Sequence, residues 1–489
     1  MTKPPRLRAV PSLHALLILL AFGAGLPARA ADAPASAGIT DTASTLTRIR
    51  DAALGSDWAY ARLTDLTDRI GPRLSGSPGA AAAVVQVADA LTKLGMKVTL
   101  QPVKVPHWVR GLETAELVGY ARRPAGLTQK LSLTALGGSS ATPAAGLTAE
   151  VLVVHGFDEL KARSAEVAGR IVLFDVPFDK LLADSGLSGA AYGQAGAYRF
   201  GGPAAASRLG AVAALVRSVG GADFRLPHTG ATNFGDARPI PSAAVTVEDS
   251  LLMARLAATG PLTMHLTLTP QTLPDADSFN VIADLPGSER PDEIVIVSGH
   301  LDSWDLGQGA IDDGAGVAAA MGVAETFKRL GLTPRRTIRV IAWMNEENGQ
   351  RGAKAYFDAN QSNLLKHVAA IESDSGAGRP LGMATSVPAA GLKLFQSLQP
   401  IAQTFGAGVL QRHDALGTGD LSGLEAAGIP SFEPLVDGRS YFNYHHTAAD
   451  TLDKVDPDNL RRQVALMSLY AWFLAEMPQA PGRVTPIPN

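Results

Sequence analysis

The sequence predicts an α/β protein with a mixed, mainly parallel sheet flanked by helices and interrupted by an inserted β-rich domain. From residue 280 onward, strand-like and helix-like segments alternate, which is the signature of a sheet with helices on its faces. Residues 294–297 form an unbroken apolar run, as expected of a strand buried on both faces. Residues 112–270 instead carry short apolar runs between Gly- and Ala-rich loops. These patterns predict one α/β unit with an insertion.

The segment before the insertion is predicted to hold helices followed by one strand. Helical periodicity runs through residues 46–70, and Gly and Pro residues then punctuate residues 71–79. Residues 80–94 are rich in Ala and Val and predict a second helix, which Gly95 ends. Residues 96–105 alternate in polarity as a strand does.

The insertion is predicted to contain several strands and no metal site. Residues 151–154, 171–174 and 241–246 have the composition of strands. Residues 210–216 predict a helix of small residues that runs into a strand. No cluster of metal-ligand type is visible in the insertion, and its histidines receive no role.

The segment after the insertion contains the alternating strand and helix patterns that predict the fold class. Residues 314–330 are helical in pattern, whereas residues 337–343 and 368–371 have the composition of buried strands. Asp456-Pro457 predicts the start of a C-terminal helix, because Asp is a favoured N-cap and Pro is tolerated in the first turn.

Composition excludes several classes of partner and of chemistry. The chain of 489 residues has 43 basic and 46 acidic residues and a formal net charge of −3, which does not suggest a nucleic-acid-binding or anionic-membrane-binding surface. It contains no cysteine, which excludes disulfides, thiol nucleophiles and thiolate ligands. Any metal site must therefore use His, Asp and Glu.

The N-terminus has the pattern of a secretory signal. Basic residues precede a short apolar segment at 16–22, and an Ala-x-Ala cleavage site follows at 28–30. We expect an exported protein, periplasmic or secreted, that is not membrane-bound after cleavage. The predicted division is 1–30 signal peptide, 31–111 first catalytic part, 112–275 inserted domain and 276–489 second catalytic part.

Candidate chemical groups follow the predicted strands of the second catalytic part. The strands lead into Gly299-His300-Leu301-Asp302, into Asn345-Glu346-Glu347 and into Glu372-Ser373-Asp374. Asp312-Asp313 stands before the intervening helix, and His445-His446 lies in a loop before the last helix. In an open α/β sheet such strand ends share one edge, where ligands bind.

These residue types suit a pair of zinc ions. One carboxylate can bind both ions, with one oxygen on each. Other ligands complete the coordination of each ion and leave room for a shared water. The ions activate that water and polarise the scissile carbonyl of a peptide. A neighbouring carboxylate that binds no ion can then accept the proton of the water.

Taken singly, each of these residues has a simpler interpretation. A His-x-Asp pair is often a hydrogen-bonded loop, adjacent glutamates are usually solvated, and Asp312 could cap the helix that follows it. A solvated surface does not explain acids that follow strands as apolar as 294–297 and 338–343. The conjunction therefore favours a metal centre.

The ordered set of motifs resembles the zinc aminopeptidases of peptidase family M28. The order is His-x-Asp, then an Asp before another Asp and a small-residue helix, then Glu-Glu, then Asp and finally a late His. The segments 105–111 and 299–305 strengthen the resemblance, which covers about residues 45–110 and 276–478. It implies the zinc-exopeptidase fold and a protease-associated-like insertion.

The resemblance implies two zinc ions per chain and five ligands. His300 and Asp374 are implied to hold one ion, Glu347 and His446 the other, and Asp312 is implied to bridge them. It also implies that the peptide bond after Asp312 is cis.

Two further roles follow from the same resemblance. Glu346 is implied to be the general base, and Asp302 is implied to support catalysis by orienting His300. His446 is preferred to His445 as the ligand because, in the family, that histidine stands four residues before the Asp-Thr pair, here Asp450-Thr451.

The predicted reaction is hydrolysis of dipeptides or short peptides by a dipeptidase- or carboxypeptidase-like exopeptidase. A broad aminopeptidase with the same two-zinc site is the alternative within the enzymes. A non-catalytic binding protein on a peptidase scaffold would be expected to lack ligands, and none is missing. A glutaminyl cyclase-like transferase would bind one zinc, so metal stoichiometry distinguishes it. Relatives also suggest a possible homodimer.

Overall fold

The structure of the protein, a computed structural model, describes residues 37–417 and 419–485, with side chains from residue 43. The predicted signal peptide therefore lies outside the described residues. Within this range, no helix combines the length and the apolar character needed to span a membrane.

The strands and helices are numbered in chain order. The strands of the described chain are β1 (Lys97–Val109), β2 (Glu113–Gly119), β3 (Gln129–Leu131), β4 (Leu133–Ala135), β5 (Leu147–Val154), β6 (Ile171–Phe174), β7 (Ala213–Arg217), β8 (Ser242–Val245), β9 (Thr263–Leu268), β10 (Gln271–Leu285), β11 (Arg290–His300), β12 (Arg336–Trp343), β13 (His367–Glu372), β14 (Pro380–Thr385), β15 (Val409–Arg412) and β16 (Ser431–Val436). Its α-helices are α1 (Ala37–Leu54), α2 (Trp58–Asp68), α3 (Pro78–Lys93), α4 (Phe157–Ala162), α5 (Lys180–Leu182), α6 (Ser188–Arg208), α7 (Val247–Ala257), α8 (Ala315–Arg329), α9 (Arg351–Asn360), α10 (Ala389–Phe395), α11 (Gln399–Gln403), α12 (Ser422–Ala426) and α13 (Pro457–Glu476).

The first sheet is mixed and has a parallel centre. Its strand order is β1-β10-β12-β11-β13-β16-β14-β15, in which β12, β11, β13 and β16 are parallel neighbours. β10 joins β12 in the antiparallel sense, and β14 joins β16 in the same way. The carboxyl ends of β11, β12 and β13 therefore lie side by side at one edge.

Helices cover both faces of this sheet. On one face, α8 and α13 pack on each other and on the sheet, where Val317 and Leu466 are buried. The small residues of α8 allow this close approach, since a Cβ at Gly322 would lie 2.9 Å from Val464 Cγ2. On the other face, Trp343 and Tyr356 belong to a second buried cluster.

The N-terminal helical segment is broken where the sequence predicted continuity. The periodic segment at 46–70 forms two helices, α1 and α2, separated by a turn at 55–57. Gly55 lies in this turn, and glycine is a poor helix former because it loses the most backbone entropy. The predicted C-terminal helix begins as expected, with the Asp456 carboxylate accepting hydrogen bonds from the amides of Asp458 and Asn459.

The segment between β1 and β10 builds a second sheet. The order of its strands is β3-β2-β9-β5-β6-β7-β8-β4, and β5 to β8 are parallel neighbours. This segment is richer in helix than predicted, because α6 spans 21 residues at 188–208. The small-residue helix predicted at 210–216 is not there. Helix α6 ends before Gly210, whose φ of 87° turns the chain into β7.

The chain leaves and re-enters the first sheet at one place. β1 and β10 are antiparallel neighbours, and the second sheet is built from the chain that connects them. Arg110 lies at this junction and donates hydrogen bonds to Asp305 at 2.6 and 2.8 Å and to Glu113 at 2.9 Å. One apolar cluster around the second sheet contains only residues of this segment, whereas another also includes Leu74, Trp108 and Trp304. We propose on this basis that 112–275 is an inserted domain.

A buried arginine organises the loop that follows β11. Arg73 is fully buried, and its guanidinium donates hydrogen bonds to the carbonyls of Leu301, Gln308 and Gly309 at 2.7–2.8 Å. A fourth bond, of 3.1 Å, reaches the carbonyl of Gly71. One side chain thus holds the chain between His300 and Asp312 in place.

We expect Arg73→Met to lower the free energy of unfolding by roughly 3 kcal/mol or more, because it leaves several buried carbonyl groups without a donor. Chemical denaturation followed by circular dichroism measures the change. Arg69→Met is the matched control, because the Arg69 side chain is 78% exposed and forms its ion pair with Asp65 of the preceding helix α2. Equal stability of the two variants would contradict the role given to Arg73.

Candidate metal centre and active site

The candidate site lies where three parallel strands end. β11 ends at His300, β12 leads into Asn345-Glu346-Glu347, and β13 leads into Ser373-Asp374. Because β12 and β13 both pair with β11 in the parallel sense, their carboxyl ends converge. The topology thus brings together the acids that the sequence placed after separate strands.

Asp312 belongs to two groups of potential metal ligands. In the first group, His300 Nε2 lies 3.1 Å from Asp312 Oδ1 and 3.2 Å from Asp374 Oδ1. In the second, His446 Nε2 lies 3.1 Å from Asp312 Oδ2 and 3.0 Å from Glu347 Oε2. The two oxygens of one carboxylate therefore face two different histidines.

The other nitrogen of each imidazole contacts a backbone carbonyl. His300 Nδ1 lies 3.0 Å from the carbonyl oxygen of Asp302, and His446 Nδ1 lies 3.3 Å from that of Thr229. A proton on Nδ1 satisfies these contacts and leaves the lone pair of Nε2 directed at the carboxylates. This arrangement is usual for histidines that bind metal.

Asp302 supports the site mainly through the loop after β12. Its Oδ1 accepts hydrogen bonds from the amides of Asn345, at 2.7 Å, and Glu346, at 3.0 Å. Its Oδ2 accepts one of 2.9 Å from the Ser75 hydroxyl. Asp302 Oδ1 is 3.9 Å from His300 Nδ1, so the residue contacts His300 more closely through its backbone carbonyl than through its carboxylate.

Two further acids fix the backbone around Asp312. Asp450 Oδ1 accepts hydrogen bonds of 2.8 Å from the amides of Ala310 and Ile311. The Asp313 carboxylate accepts bonds of 3.0 Å from the amide of His300 and from the amide of a residue in α8. The peptide bond between Asp312 and Asp313 is cis.

His445 also points at Asp312. Its Nε2 lies 3.2 Å from Asp312 Oδ2, but the ligand group formed by Asp312 and Glu347 contains His446. His446 has a φ of 58°, which non-glycine residues rarely adopt. The turn at His446 brings both imidazoles to the same carboxylate oxygen.

Comparisons with known proteins identify the family to which the chain belongs. The family described as peptidase family M28 matches residues 280–471. Carboxypeptidase Q of Homo sapiens is 36% identical over 86% of this chain and 86% of its own length, and that of Mus musculus is 37% identical with the same coverage. The chain belongs to peptidase family M28. As a member of M28, it is a metallo-exopeptidase whose substrates are peptides, and the resemblance inferred from the motifs is confirmed.

Solved structures of M28 peptidases share the fold. A peptidase M28 precursor from Shewanella amazonensis has a TM-score of 0.84 at 35% identity, covering 92% of this chain and 99% of that one. A zinc aminopeptidase from Bacillus subtilis has a TM-score of 0.63 at 20% identity, covering 87% of this chain and 97% of that one. The predicted α/β fold class is therefore confirmed.

The donor set of this M28 peptidase fits divalent metal ions. Each group combines imidazole nitrogen with carboxylate oxygen, which are ligand types that zinc accepts. Glu347 Oε1 is buried and has no hydrogen-bond partner. A buried carboxylate oxygen without a donor costs free energy, and a bound cation would remove that cost.

Burial dominates the titration of the glutamates in this M28 site. Burial raises the pKa of Glu346 to about 8, and the charge of His300 opposes the shift only in part. Burial likewise raises the pKa of Glu347 to about 7, and the nearby Asp312 carboxylate adds to the increase. Burial lowers the pKa of His300, but the carboxylates of Asp374 and Asp312 outweigh it and hold that pKa well above its usual value.

The site opens into a cleft of about 580 Å³ that both sheets help to line. The segment of the second sheet contributes Tyr192, Arg199 and Phe200 from α6, while Glu433 and Tyr441 come from the C-terminal part. Arg199 is the one Lys or Arg side chain among the described residues that line this cleft. The cleft is otherwise rich in carboxylates.

The structure brings the predicted ligands and the predicted base into this one cleft. The residues concerned are His300, Asp312, Glu346, Glu347, Asp374 and His446. Asp302 supports them by accepting hydrogen bonds from the backbone amides of Asn345 and Glu346. Sequence analysis missed Arg73, Arg199, His228 and Thr229, which contact the site or its loops from distant segments and belong to no strand-end motif.

We expect the metal-free enzyme to lose stability as pH rises. Unfolded glutamate titrates near 4.5, whereas folded Glu346 and Glu347 hold their protons to about 8 and about 7. The native state therefore binds more protons than the unfolded state between these values, so the free energy of unfolding falls as pH increases. Thermal melts from pH 5 to 8 after chelation measure this slope.

Glu346→Gln should flatten that profile, because glutamine does not ionise. Glu289→Gln is the control, since the Glu289 side chain is 61% exposed and lies outside the cleft. A metal-free wild-type enzyme whose stability rose from pH 5 to 8 would contradict the assignment.

Proposed function

We propose that this M28 peptidase hydrolyses dipeptides and other short peptides at two zinc ions that share one bridging carboxylate. The position of Asp312 carries the proposal, because its Oδ1 and Oδ2 each lie 3.1 Å from the Nε2 of a different histidine. Two ligand groups on the two oxygens of one carboxylate suit a pair of ions better than one ion. The zinc aminopeptidase that shares the fold supports the choice of metal.

In this proposal, His300 and Asp374 would hold one ion, Glu347 and His446 would hold the other, and Asp312 would bind both. Zinc held there would supply an activated water and would polarise the scissile carbonyl. The carbonyl groups behind the two histidines keep each Nε2 directed into the site.

Glu346 is the proposed general base. It takes a proton from the attacking water and later gives it to the leaving amine. Its Oε1 accepts a 3.3 Å hydrogen bond from Gln350, and a Cβ at Gly419 would lie 2.3 Å from the same oxygen. Glu346 lines the cleft but belongs to neither ligand group, which leaves it available for proton transfer.

Arg199 supports the preference for substrates with a free carboxyl terminus. Its Nη1 donates a hydrogen bond to the Tyr192 hydroxyl and lies 3.5 Å from His446 Nδ1, so the guanidinium stands beside the metal ligands. Its Nη2 makes no hydrogen bond to any described residue. In a dipeptide, the carboxylate lies one residue beyond the scissile bond, and a guanidinium is a suitable partner for it.

Export and assembly remain proposals. We infer export from the signal pattern at 1–30, with a periplasmic or secreted location. A homodimer stays a prediction that measurement of the mass in solution would test.

We predict that Glu346→Gln retains its fold and its metal but loses turnover by a factor on the order of 10²–10⁴, the usual contribution of general acid–base catalysis. KM should change much less, since the lost interaction belongs to the transition state. Steady-state kinetics on a dipeptide, together with metal analysis, measure both quantities.

The matched variant is Glu347→Gln, which makes the same chemical change one residue away. Because Glu347 is a proposed ligand, this variant should lose metal. If it kept two ions while Glu346→Gln lost one, the two roles would have to be exchanged. Near-normal turnover of Glu346→Gln would refute its role as the base.

We expect the wild-type enzyme to cleave a dipeptide faster than the corresponding aminoacyl amide, and Arg199→Met to remove this difference. Loss of one charge-assisted hydrogen bond should reduce kcat/KM on the dipeptide roughly 10- to 100-fold and leave the amide little affected. Parallel kinetics on both substrates provide the measurement.

Arg208→Met is the control for this change, because Arg208 ends the same helix but is 53% exposed and pairs with Asp236. Equal wild-type rates on dipeptide and amide would favour the broad aminopeptidase. If Arg199→Met lowered kcat/KM equally on both substrates, Arg199 would not be the partner of the substrate carboxylate.

A further inference from the structure

One carboxylate that lines the cleft has no part in the proposed chemistry. The acids among the lining residues are Asp312, Glu346, Glu347, Asp374 and Glu433. The first four are the proposed ligands and the proposed base, whereas Glu433 belongs to neither ligand group. Within the described chain, no Lys, Arg or His forms an ion pair with Glu433. A negative charge without a partner, in the wall of a substrate cleft, is available for a positive group of the substrate.

A neighbouring hydroxyl fixes the Glu433 carboxylate and leaves one of its oxygens free. Ser375 Oγ donates a hydrogen bond to Glu433 Oε1, which ties the side chain to the residue that follows Asp374. Glu433 Oε2 accepts no hydrogen bond from any described residue, and it is not sealed from solvent. A carboxylate that is held in one orientation with a free oxygen is suited to a charge-assisted hydrogen bond with a cationic group.

The order of the strands places Glu433 beside the metal centre and not within it. β11 ends at His300, its neighbour β13 leads into Asp374, and the next neighbour, β16, carries Glu433. Adjacent strands lie about 5 Å apart. Glu433 therefore extends from a point about 5 Å beyond the strand that leads to Asp374 and about 10 Å beyond the strand of His300.

This offset distinguishes between the two positive groups that a peptide can present on one side of its scissile bond. The α-ammonium is separated from the scissile carbonyl carbon by a single Cα, so it must stay close to the proposed ions. A lysine or arginine side chain carries its charge at the end of a methylene stem and reaches outward. A carboxylate that stands one to two strands away from the centre suits the side chain better than the α-ammonium.

The wall of the cleft next to Glu433 can accommodate such a stem. Pro434, Leu435 and Val436 follow Glu433 on β16, and all three line the cleft together with Tyr441. Lysine and arginine pack their methylene groups against apolar surface while the charged end reaches a polar partner. An uncharged side chain could use the same wall, but it would leave the Glu433 carboxylate without a partner.

Arg199 and Glu433 lie beside ligands of different proposed ions. Arg199 Nη1 is 3.5 Å from His446 Nδ1, whereas Glu433 is bonded to the residue that follows Asp374. A dipeptide that presents its terminal carboxylate to Arg199 would therefore direct its first residue towards Glu433. The two charged groups are opposite in sign, so together they define the direction in which the substrate lies.

We propose that Glu433 selects substrates in which the residue before the scissile bond has a basic side chain, so that Lys-Xaa and Arg-Xaa dipeptides are preferred. This inference rests on the proposed function, because it takes the scissile bond to lie at the metal centre. It gives the choice of side chain to a residue that is neither a proposed ligand nor the proposed base.

The test compares lysyl-alanine with norleucyl-alanine, which has the same stem without the ammonium group. We expect the wild-type kcat/KM to be roughly 10- to 100-fold higher on lysyl-alanine, the contribution of one charge-assisted hydrogen bond. Glu433→Gln should remove this preference by lowering kcat/KM on lysyl-alanine alone. An unchanged rate on norleucyl-alanine would show that the variant is folded and active.

Asp437→Asn is the control for the loss of one negative charge near the cleft. Asp437 follows β16, but it pairs with Arg439 and does not line the cleft. This variant should keep the wild-type preference for lysyl-alanine. If it lost the preference as Glu433→Gln does, the general charge of this region would explain the selection, and the specific role of Glu433 would be refuted.

The remaining outcomes separate this inference from the proposed function. Equal wild-type rates on the two dipeptides would overturn the inference and leave the proposed function intact. An equal fall on both dipeptides in Glu433→Gln would also overturn it, because both substrates carry an α-ammonium.

A wild-type enzyme that cleaved no dipeptide would overturn the proposed function, and calorimetry would then decide the role of Glu433. Free lysine should bind the wild type at least about tenfold more tightly than norleucine, and Glu433→Gln should bind the two alike. Equal binding of lysine and norleucine by the wild type would refute the inference.

Discussion

The mutual repulsion of buried carboxylates is the constraint on which the rest of this structure depends. Several acids share one poorly solvated cleft, and isolated charges are costly to bury. Burial raises the pKa of Glu346 to about 8 and that of Glu347 to about 7, and His300 and His446 lie between the acids. The same repulsion makes the site selective for positive charge. A cluster that is unfavourable in the empty protein becomes favourable when cations neutralise it.

Such a cluster has to be held by the backbone, because its members repel one another. The parallel strands β11, β12 and β13 fix the points from which the acids extend. Arg73 binds successive carbonyl groups of the loop after β11, while Asp450 binds the amides just before Asp312. The Asp302 carboxylate likewise accepts a hydrogen bond from the backbone of the loop that carries Glu346. Buried polar side chains thus replace the regular hydrogen bonding that the loops lack.

In the proposed function, the segment between β1 and β10 contributes to chemistry as well as to access. Arg199 supplies positive charge to a cleft that otherwise contains carboxylates, and Thr229 contacts the backbone and the imidazole of His446. These contacts come from the segment between β1 and β10, in which sequence analysis predicted no metal site and gave the histidines no role. In the proposed function, substrate selection and metal geometry are therefore connected through this segment, and variation in its loops would affect both.

The sequence by itself determined the fold class, the strands that end at the site and the acids that follow them, because apolar periodicity and strand-end motifs are local properties. The helical periodicity at 46–70 concealed the break between α1 and α2, although Gly55, a poor helix former, lies in the turn that separates them. Nor could it reveal Arg73 or His228, which meet their partners only after folding. Choosing His446 over His445 depended on family spacing, whereas the structure adds a contact that distinguishes them, from His446 to Glu347. Only the tertiary structure decides such pairings, because contacts between residues far apart in the chain produce no periodic pattern in its sequence.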